Sequence, residues 1–118
     1  MCGIAGIVEL SSNPSINEKT LRAMSDVIKH RGPDDEGQWL SPSRKCGFAF
    51  RRLAIIDLSP AGHQPMTTSD GRFTIVFNGE IYNHAILRKD LEERGYVYHS
   101  KTDTETILYG YREYGQAF

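Results

Sequence analysis

Apolar residues occur in short runs along the chain, and residues that favour turns bound each run. The run Ile4–Leu10 is β-branched and apolar and is followed by Ser11-Ser12-Asn13-Pro14, which is typical of a buried strand that ends in a loop. Asn17 can cap a helix that extends to about Lys29. The apolar stripe predicted for that helix consists of Leu21, Met24, Val27 and Ile28. The segment Arg31–Asp35, with its Gly-Pro pair, then breaks the helix.

Three further strands are predicted in the middle of the chain. Two are expected around Cys46–Phe50 and Leu53–Asp57, and the third spans Arg72–Phe77, where apolar and polar residues alternate. The third strand stops at the dipeptide Asn78-Gly79, a strong turn signal. Because Cys2 directly precedes the first apolar run, it is expected at the mouth of a sheet.

The last third of the chain predicts two helices with a short strand between them. A helix is expected over about Asn83–Gly95, where the glycine suits a left-handed C-terminal position, and Tyr96–Ser100 is predicted as a strand. A final helix runs to about Tyr114 and is capped by Thr102 or Asp103. Its inward-facing residues are predicted to be Ile107, Leu108 and Tyr111. Strands and helices do not alternate strictly, which favours an α+β fold over a doubly wound α/β fold.

The composition argues against several classes of protein. The 118 residues suit one small domain, and the net charge of -1 leaves no electrostatic footprint for nucleic acid or an anionic membrane. No apolar run approaches the roughly 18 residues that span a bilayer, and the N-terminus makes a poor signal peptide. Cys2 and Cys46 are too few for a disulfide framework, so we expect two thiols in a cytoplasmic protein.

Metal and nucleotide sites are not predicted. The four histidines lack the spacing of metal ligands. They are His30, His63, His84 and His99. The glycines form neither a Walker loop nor a dinucleotide fingerprint, so we expect no cofactor for these residues.

Cys2 is the most informative residue for chemistry. If Met1 is trimmed, one residue carries a thiol and a free α-amine, which titrates near pKa 7.7–8.0 when unperturbed. A nucleophile with its own base is the arrangement of N-terminal-nucleophile catalysis. The alternative is that a cysteine stands at position 2 by chance.

Three other features have both a chemical and a structural interpretation. Asn78-Gly79 can provide an amide side chain and an unhindered N–H for an oxyanion, or it can form a type I′ hairpin turn. Arg52 can hold a carboxylate, or it can be a solvated charge at a strand edge. Asp103 can hold an ammonium group, or it can cap the final helix.

Six ordered segments identify a family resemblance over essentially the whole chain. They are Met-Cys-Gly-Ile-Ala-Gly-Ile at 1–7, His-Arg-Gly-Pro-Asp-Asp at 30–35, Arg-Leu-Ala-Ile-Ile-Asp-Leu-Ser at 52–59, Gln-Pro-Met at 64–66, Phe-Asn-Gly-Glu-Ile-Tyr-Asn-His at 77–84 and Thr-Asp-Thr-Glu at 102–105. Together they resemble the class II glutamine amidotransferase domain of the asparagine synthetase B type. The resemblance implies an N-terminal-nucleophile sandwich of helices around two mainly antiparallel sheets, here incomplete at the C-terminus.

The resemblance implies that Cys2 attacks the side-chain amide of glutamine, with Asn78 and Gly79 stabilising the oxyanion. Arg52 is then implied to bind the α-carboxylate of glutamine, and Asp103 with Glu80 its α-ammonium. The backbone implied to line the glutamine pocket belongs to Leu53, Ala54, Ile55 and Ile56. No metal is implied in this domain, and its product is ammonia.

Residues 1–118 are therefore expected to be the N-terminal part of such a domain, without the synthetase domain that would use ATP and magnesium. That synthetase domain is the expected partner, and an uncovered sheet could support a homo-oligomer. The alternatives are a non-catalytic glutamine-binding or assembly fragment, an amidotransferase for another acceptor such as a sugar uronic acid, or a truncated product without a settled fold.

Overall fold

The computed structural model describes residues 1–55 and 58–118, which combine helices with antiparallel sheets. In chain order, the elements are β1 (Gly3–Val8), α1 (Glu18–Val27), β2 (Asp35–Leu40), β3 (Cys46–Arg52), β4 (Met66–Thr67), β5 (Thr74–Ile75), α2 (His84–Glu93) and α3 (Asp103–Tyr114). Unit 1 comprises Met1–Ala54 and His63–Pro65, and unit 2 comprises Ile55–Gly62 and Met66–Phe118. The predicted α+β class is confirmed.

Unit 1 is built on a three-stranded antiparallel sheet in the order β1-β3-β2. Helix α1 covers one face of this sheet and buries Leu21 completely. A Cβ atom at Gly47 of β3 would lie 2.9 Å from Leu21 Cδ1, so the glycine allows the close approach of the helix. The core of this face consists of Ile16, Leu21 and Ala49, with Ala5, Ile7 and Leu40 packed against them.

Helix α1 begins as predicted, because the side chain of Asn17 accepts a hydrogen bond from Thr20 N at 3.0 Å. It ends at Val27, before a 3₁₀ turn at Lys29–Arg31. The prediction that Val27 faces the core is wrong, since this side chain is 76% exposed. Six residues after Leu21, Val27 is rotated by about 120° from the buried side chain in a helix of 3.6 residues per turn.

Strand β2 was not predicted, and its composition explains why. Asp35–Leu40 contains two acids, a glycine and a glutamine, which is a poor strand pattern in isolation. The strand is stabilised by pairing with β3, where Glu36 lies opposite Arg51 and forms an ion pair with it. Strand β3 was predicted over Cys46–Phe50 and extends two residues further.

Unit 2 contains α2 and α3, which pack on each other, and a short β4–β5 hairpin. The end of α2 is confirmed: Gly95 has φ +98°, and Tyr96 N donates to Leu91 O at 3.1 Å. The strand predicted over Arg72–Phe77 is reduced to Thr74–Ile75. Among the helices of residues 1–55 and 58–118, none has the length and the apolar composition that a transmembrane span requires.

Two predictions near α3 are wrong. Residues 96–100 do not form a strand; instead, the N–H groups of His99 and Ser100 donate to the carboxylate of Glu105. Tyr111 of α3 was expected inside and is 43% exposed, with its ring edge-on to that of Phe73. Leu108 is buried as predicted.

Candidate active site

The backbone of one residue contacts the thiol of Cys2 in unit 1. Leu53 N donates a hydrogen bond to Cys2 Sγ at 3.3 Å, and Sγ lies 3.6 Å from Leu53 O, to which its S–H can donate. Cys2 precedes β1 and Leu53 follows β3, so antiparallel pairing of these strands brings the two residues together. The N–H and the carbonyl of Leu53 thus fix the position of the sulfur.

Arg51 and Arg52 are adjacent on β3 and point to opposite faces of the sheet. Arg51 faces α1, where it donates to Asp26 Oδ1 at 2.6 Å and to Ser25 O at 3.2 Å, and it also pairs with Glu36. Arg52 therefore points to the other face, and it is only 7% exposed. The interpretation of Arg52 as a solvated edge charge is wrong.

The register of the sheet places Arg52 beside Cys2. Gly3 pairs with Arg51, so the next position outward sets Cys2 opposite Arg52. Directly opposed residues of antiparallel strands point to the same face, with Cβ atoms about 4.5–5.5 Å apart. The candidate nucleophile and the candidate carboxylate-binding cation thus share one face of unit 1.

The segment after β3 is not the predicted strand in its described part. Leu53 and Ala54 lack regular structure, because Leu53 contacts the thiol and Ala54 N donates to Asp34 Oδ2 at 2.9 Å. Ile55, predicted to line the pocket, is 72% exposed. Ile56, the fourth predicted lining residue, lies outside the described residues together with Asp57.

In unit 2, the dipeptide Asn78-Gly79 and the following Glu80 are exposed between β5 and α2. A type I′ turn needs positive φ at both central residues. Positive φ angles in the described part of the chain occur at Arg44, Gly71, Gly95 and Gly115. The hairpin interpretation of Asn78-Gly79 is therefore wrong. A Cβ at Gly79 would lie 2.7 Å from Phe77 Cζ, so this position is crowded by an aromatic ring.

Asp103 is the first residue of α3, but Thr102 caps the helix. The side chain of Thr102 accepts a hydrogen bond from Glu105 N at 3.4 Å. Asp103 is only 4% exposed, and its carboxylate accepts a hydrogen bond from Ile81 N at 2.8 Å. Asp103 thus connects the start of α3 to the residue that directly follows Glu80, and the capping interpretation does not apply to it.

Glu105 supports this end of α3. Its carboxylate accepts from Ser100 Oγ at 2.6 Å, from Ser100 N at 2.7 Å and from His99 N at 2.9 Å. Burial by itself would raise the pKa of Glu105, but these hydrogen bonds outweigh it and hold the pKa below the usual value. Burial next to Glu105 raises the pKa of Tyr109 to about 12. The spacing Thr-x-x-Glu at 102–105 is a capping-box signal for the cap by Thr102, but it does not indicate that Glu105 accepts from His99 and Ser100.

The predicted site residues therefore fall into two sets. Unit 1 holds Cys2, Arg52 and Leu53, and unit 2 holds Asn78-Gly79, Glu80 and Asp103. Sequence reasoning missed the carboxylates of Asp34 and Asp35, because that segment was interpreted as a helix breaker and as a family segment, with no role for its side chains. Asp35 Oδ2 lies 2.7 Å from His63 Nδ1, a contact between distant positions that no local pattern signals.

A protein-family model described as a glutamine amidotransferase domain matches residues 1–118. The chain belongs to this family. Asparagine synthetase (glutamine-hydrolyzing) 1 of Bacillus subtilis (strain 168) is 40% identical over 116 residues, which are 97% of this chain and 18% of that protein. Asparagine synthetase (glutamine-hydrolyzing) 2 of Arabidopsis thaliana is 36% identical over 118 residues, 100% of this chain and 20% of that protein.

A relative with a different name matches over the same span. Amidase chry2 of Gibberella zeae is 34% identical over 127 aligned residues, which cover 100% of this chain and 19% of that protein. The amidotransferase chain thus spans about a fifth of the length of the three relatives. The family assignment agrees with the resemblance inferred from the six ordered segments.

Proposed function

We propose that this amidotransferase domain hydrolyses the side-chain amide of L-glutamine and supplies the ammonia for an amidation of the asparagine-synthetase type. The observation that carries the proposal is the hydrogen bond that the sulfur of Cys2 accepts from Leu53 N at 3.3 Å. The buried Arg52 lies across the ladder on the same face. Family membership and the names of the relatives, which specify glutamine hydrolysis, support the same reaction.

In this proposal, removal of Met1 exposes the α-amine of Cys2, which accepts the thiol proton. The sulfur attacks the amide carbon of glutamine, and the oxyanion is stabilised by the Asn78 side chain and the Gly79 N–H. The tetrahedral intermediate collapses, the α-amine returns the proton to the leaving nitrogen, and ammonia departs. Water then hydrolyses the γ-glutamyl thioester to give glutamate and restore the thiol.

Substrate recognition is assigned to opposite charges. Arg52 binds the α-carboxylate of glutamine in this proposal, and Asp103 with Glu80 binds its α-ammonium. The backbone of Leu53, Ala54 and Ile55 lines the pocket in the same proposal. Burial favours strong contacts from Arg52 and Asp103, which are 7% and 4% exposed.

We assign no metal or nucleotide to this reaction. Among residues 1–55 and 58–118, no group of His, Cys, Asp and Glu side chains is arranged to hold a metal ion. In the proposal, ATP and magnesium belong to a synthetase domain, which is the partner that receives ammonia.

We place the protein in the cytoplasm, and self-association through the sheet stays a prediction.

A second candidate keeps the same glutamine chemistry but changes the acceptor. The similarity to the Gibberella zeae protein named as an amidase covers the whole chain, as does the similarity to the Arabidopsis synthetase. Residues that recognise only glutamine can serve either acceptor. The acceptor is then aspartate or another carboxylate, such as a sugar uronic acid.

The proposal is tested by measuring glutamate release from glutamine with the wild-type chain and two cysteine variants. Cys2→Ala should abolish hydrolysis, and Cys46→Ala should retain it, because Cys46 pairs with Val8 at the opposite end of the β1–β3 ladder. Glutamine binding by calorimetry without any hydrolysis would instead identify a non-catalytic glutamine-binding module. Equal activity of Cys2→Ala and wild type would refute the role of Cys2.

A further inference from the structure

Two adjacent aspartates hold two separate segments against the same end of the unit 1 sheet. Asp34 Oδ2 accepts a hydrogen bond from Ala54 N at 2.9 Å, and Asp35 Oδ2 lies 2.7 Å from His63 Nδ1. Asp35 Oδ1 also accepts from Glu36 N at 2.8 Å, which fixes the orientation of this carboxylate. One short stretch of backbone therefore anchors both Ala54 and His63.

The segment that contains His63 also packs directly against strand β2. A Cβ atom at Gly37 of β2 would lie 1.9 Å from Gln64 O and 2.9 Å from His63 Nε2. Gln64 is only 6% exposed. The absence of a side chain at Gly37 thus lets His63 and Gln64 lie directly on β2, next to Asp35.

The anchored face is the one that carries the proposed nucleophile. Asp35 pairs with Arg52 in the β2–β3 ladder, and Arg52 is opposite Cys2 in the next ladder. Ala54, held by Asp34, directly follows Leu53, whose N–H and carbonyl contact the sulfur of Cys2. A displacement of Ala54 would therefore move the N–H group that points at the thiol.

We infer that Asp34, Asp35 and His63 form a clamp that positions the Leu53 backbone against the thiol of Cys2. The inference rests on the proposed function for its catalytic consequence, because the three clamp residues act through Leu53 and are positioning residues. A misplacement of about 1 Å at such a supporting contact can cost two orders of magnitude in rate. The clamp should therefore affect the rate of thiol chemistry more than glutamine binding.

The test compares His63→Ala with His63→Asn, whose side-chain amide can donate from the position of Nδ1. Glu36→Gln is the matched control, since Glu36 follows Asp35 but pairs with Arg51 on the opposite face. Amide hydrogen exchange is measured by NMR on the full chain at Leu53 and Ala54, with Ala49 of β3 as internal reference. The glutaminase kcat and KM are measured on the same samples.

We expect His63→Ala to accelerate amide hydrogen exchange at Leu53 and Ala54 about tenfold relative to Ala49. This is the size of effect expected when one hydrogen bond to a charged group is lost. The kcat should fall about tenfold and the KM should change less, because the charged groups that bind glutamine in the proposed function lie outside the clamp. His63→Asn should restore the exchange rates and the kcat within about twofold. Glu36→Gln should leave the exchange ratio and kcat unchanged.

Unchanged exchange at Leu53 and Ala54 in His63→Ala would overturn the clamp, whatever the activity. Faster exchange with an unchanged kcat would overturn its positioning role. If the wild-type chain hydrolyses no glutamine, the proposed function is refuted. The clamp on the contact between Leu53 and Cys2 would still stand if His63→Ala accelerates exchange at Leu53 and Ala54.

Discussion

Arg51 and Arg52 allow stability and substrate binding to be separated by two substitutions at neighbouring positions. Both side chains are buried, at 5% and 7% exposure, and they point to opposite faces of β3. We predict that Arg51→Met lowers the free energy of unfolding without changing the KM for glutamine. Arg52→Met should raise that KM, because it removes the proposed partner of the substrate carboxylate.

The cost of Arg51→Met follows from the contacts that it removes. Arg51 contacts Asp26 at 2.6 Å and Ser25 O at 3.2 Å and pairs with Glu36. Hydrogen bonds to charged groups contribute about 1.5–3 kcal/mol each. The side chains of Asp26 and Glu36 are 58% and 41% exposed, so both regain water after the substitution. We therefore expect a net loss of about 2 kcal/mol, which corresponds to a decrease in Tm of about 8 °C.

The cost of Arg52→Met should appear in substrate binding. Removing one partner of a buried charge pair costs about 2–5 kcal/mol, so the KM should rise at least about 30-fold. The KM does not depend on the concentration of folded enzyme, so partial unfolding of either variant cannot imitate this change.

The assay combines thermal unfolding with the glutamine dependence of glutamate release for both variants. The reasoning is refuted if Arg51→Met raises the KM as much as Arg52→Met, since the two faces would then not differ. An unchanged KM in Arg52→Met would refute the assignment of the carboxylate site.

Three further predictions test other parts of the account. Asn78→Ala should lower the glutaminase kcat by about 10²–10³, measured at saturating glutamine, and an unchanged kcat would exclude an oxyanion role. The pKa of Glu105 is held below its ordinary value of 4.5, so its ionisation stabilises the fold above that pH, and the contribution is lost as the pH falls through the lowered pKa. Urea unfolding should therefore show Glu105→Gln less stable than wild type at pH 7, with a smaller difference below pH 4.5; an equal difference at both pH values would contradict this. Gly37→Ala should destabilise the fold by about 1–3 kcal/mol in urea unfolding, because its Cβ would lie 1.9 Å from Gln64 O. Gly6→Ala is the control, since its Cβ would meet no atom closer than 3.4 Å, and equal losses in the two variants would contradict the packing at Gly37.

Elements with local signals could be predicted from the sequence. The β-branched run of β1 and the side-chain cap at Asn17 act within a few residues, and the structure retains both. Gly95 likewise ends α2 through its own positive φ angle. Strand β2 could not be predicted, because its polar residues are held by pairing with β3 and not by their own propensity.

The predicted strand over residues 96–100 failed for a related reason. Its alternating aromatic residues fit a strand, but Glu105 takes the backbone N–H groups of His99 and Ser100. The rings of Tyr96 and Tyr98 then pack against Tyr109 of α3. A buried carboxylate can thus replace a neighbouring strand as hydrogen-bond acceptor, and no periodicity in the segment itself indicates this.

The candidate site was predicted from ordered motifs, whereas its supporting contacts were not. Residue type and order point to Cys2 and Arg52, and the sheet register places them opposite each other. The contact between Asp35 and His63 joins positions 28 residues apart, and it depends on the bare backbone of Gly37. Such contacts follow from the fold and cannot be inferred from local spacing.

The central claim is that Cys2 becomes the N-terminal nucleophile of a glutamine-hydrolysing site. Its most direct test is intact-mass spectrometry after reaction with a diazo-ketone analogue of glutamine, followed by peptide mapping. The account predicts loss of the Met1 mass and one adduct on Cys2, which excess glutamine blocks and Cys2→Ala lacks. Retention of Met1 without an adduct, or an adduct on Cys46 alone, would contradict it.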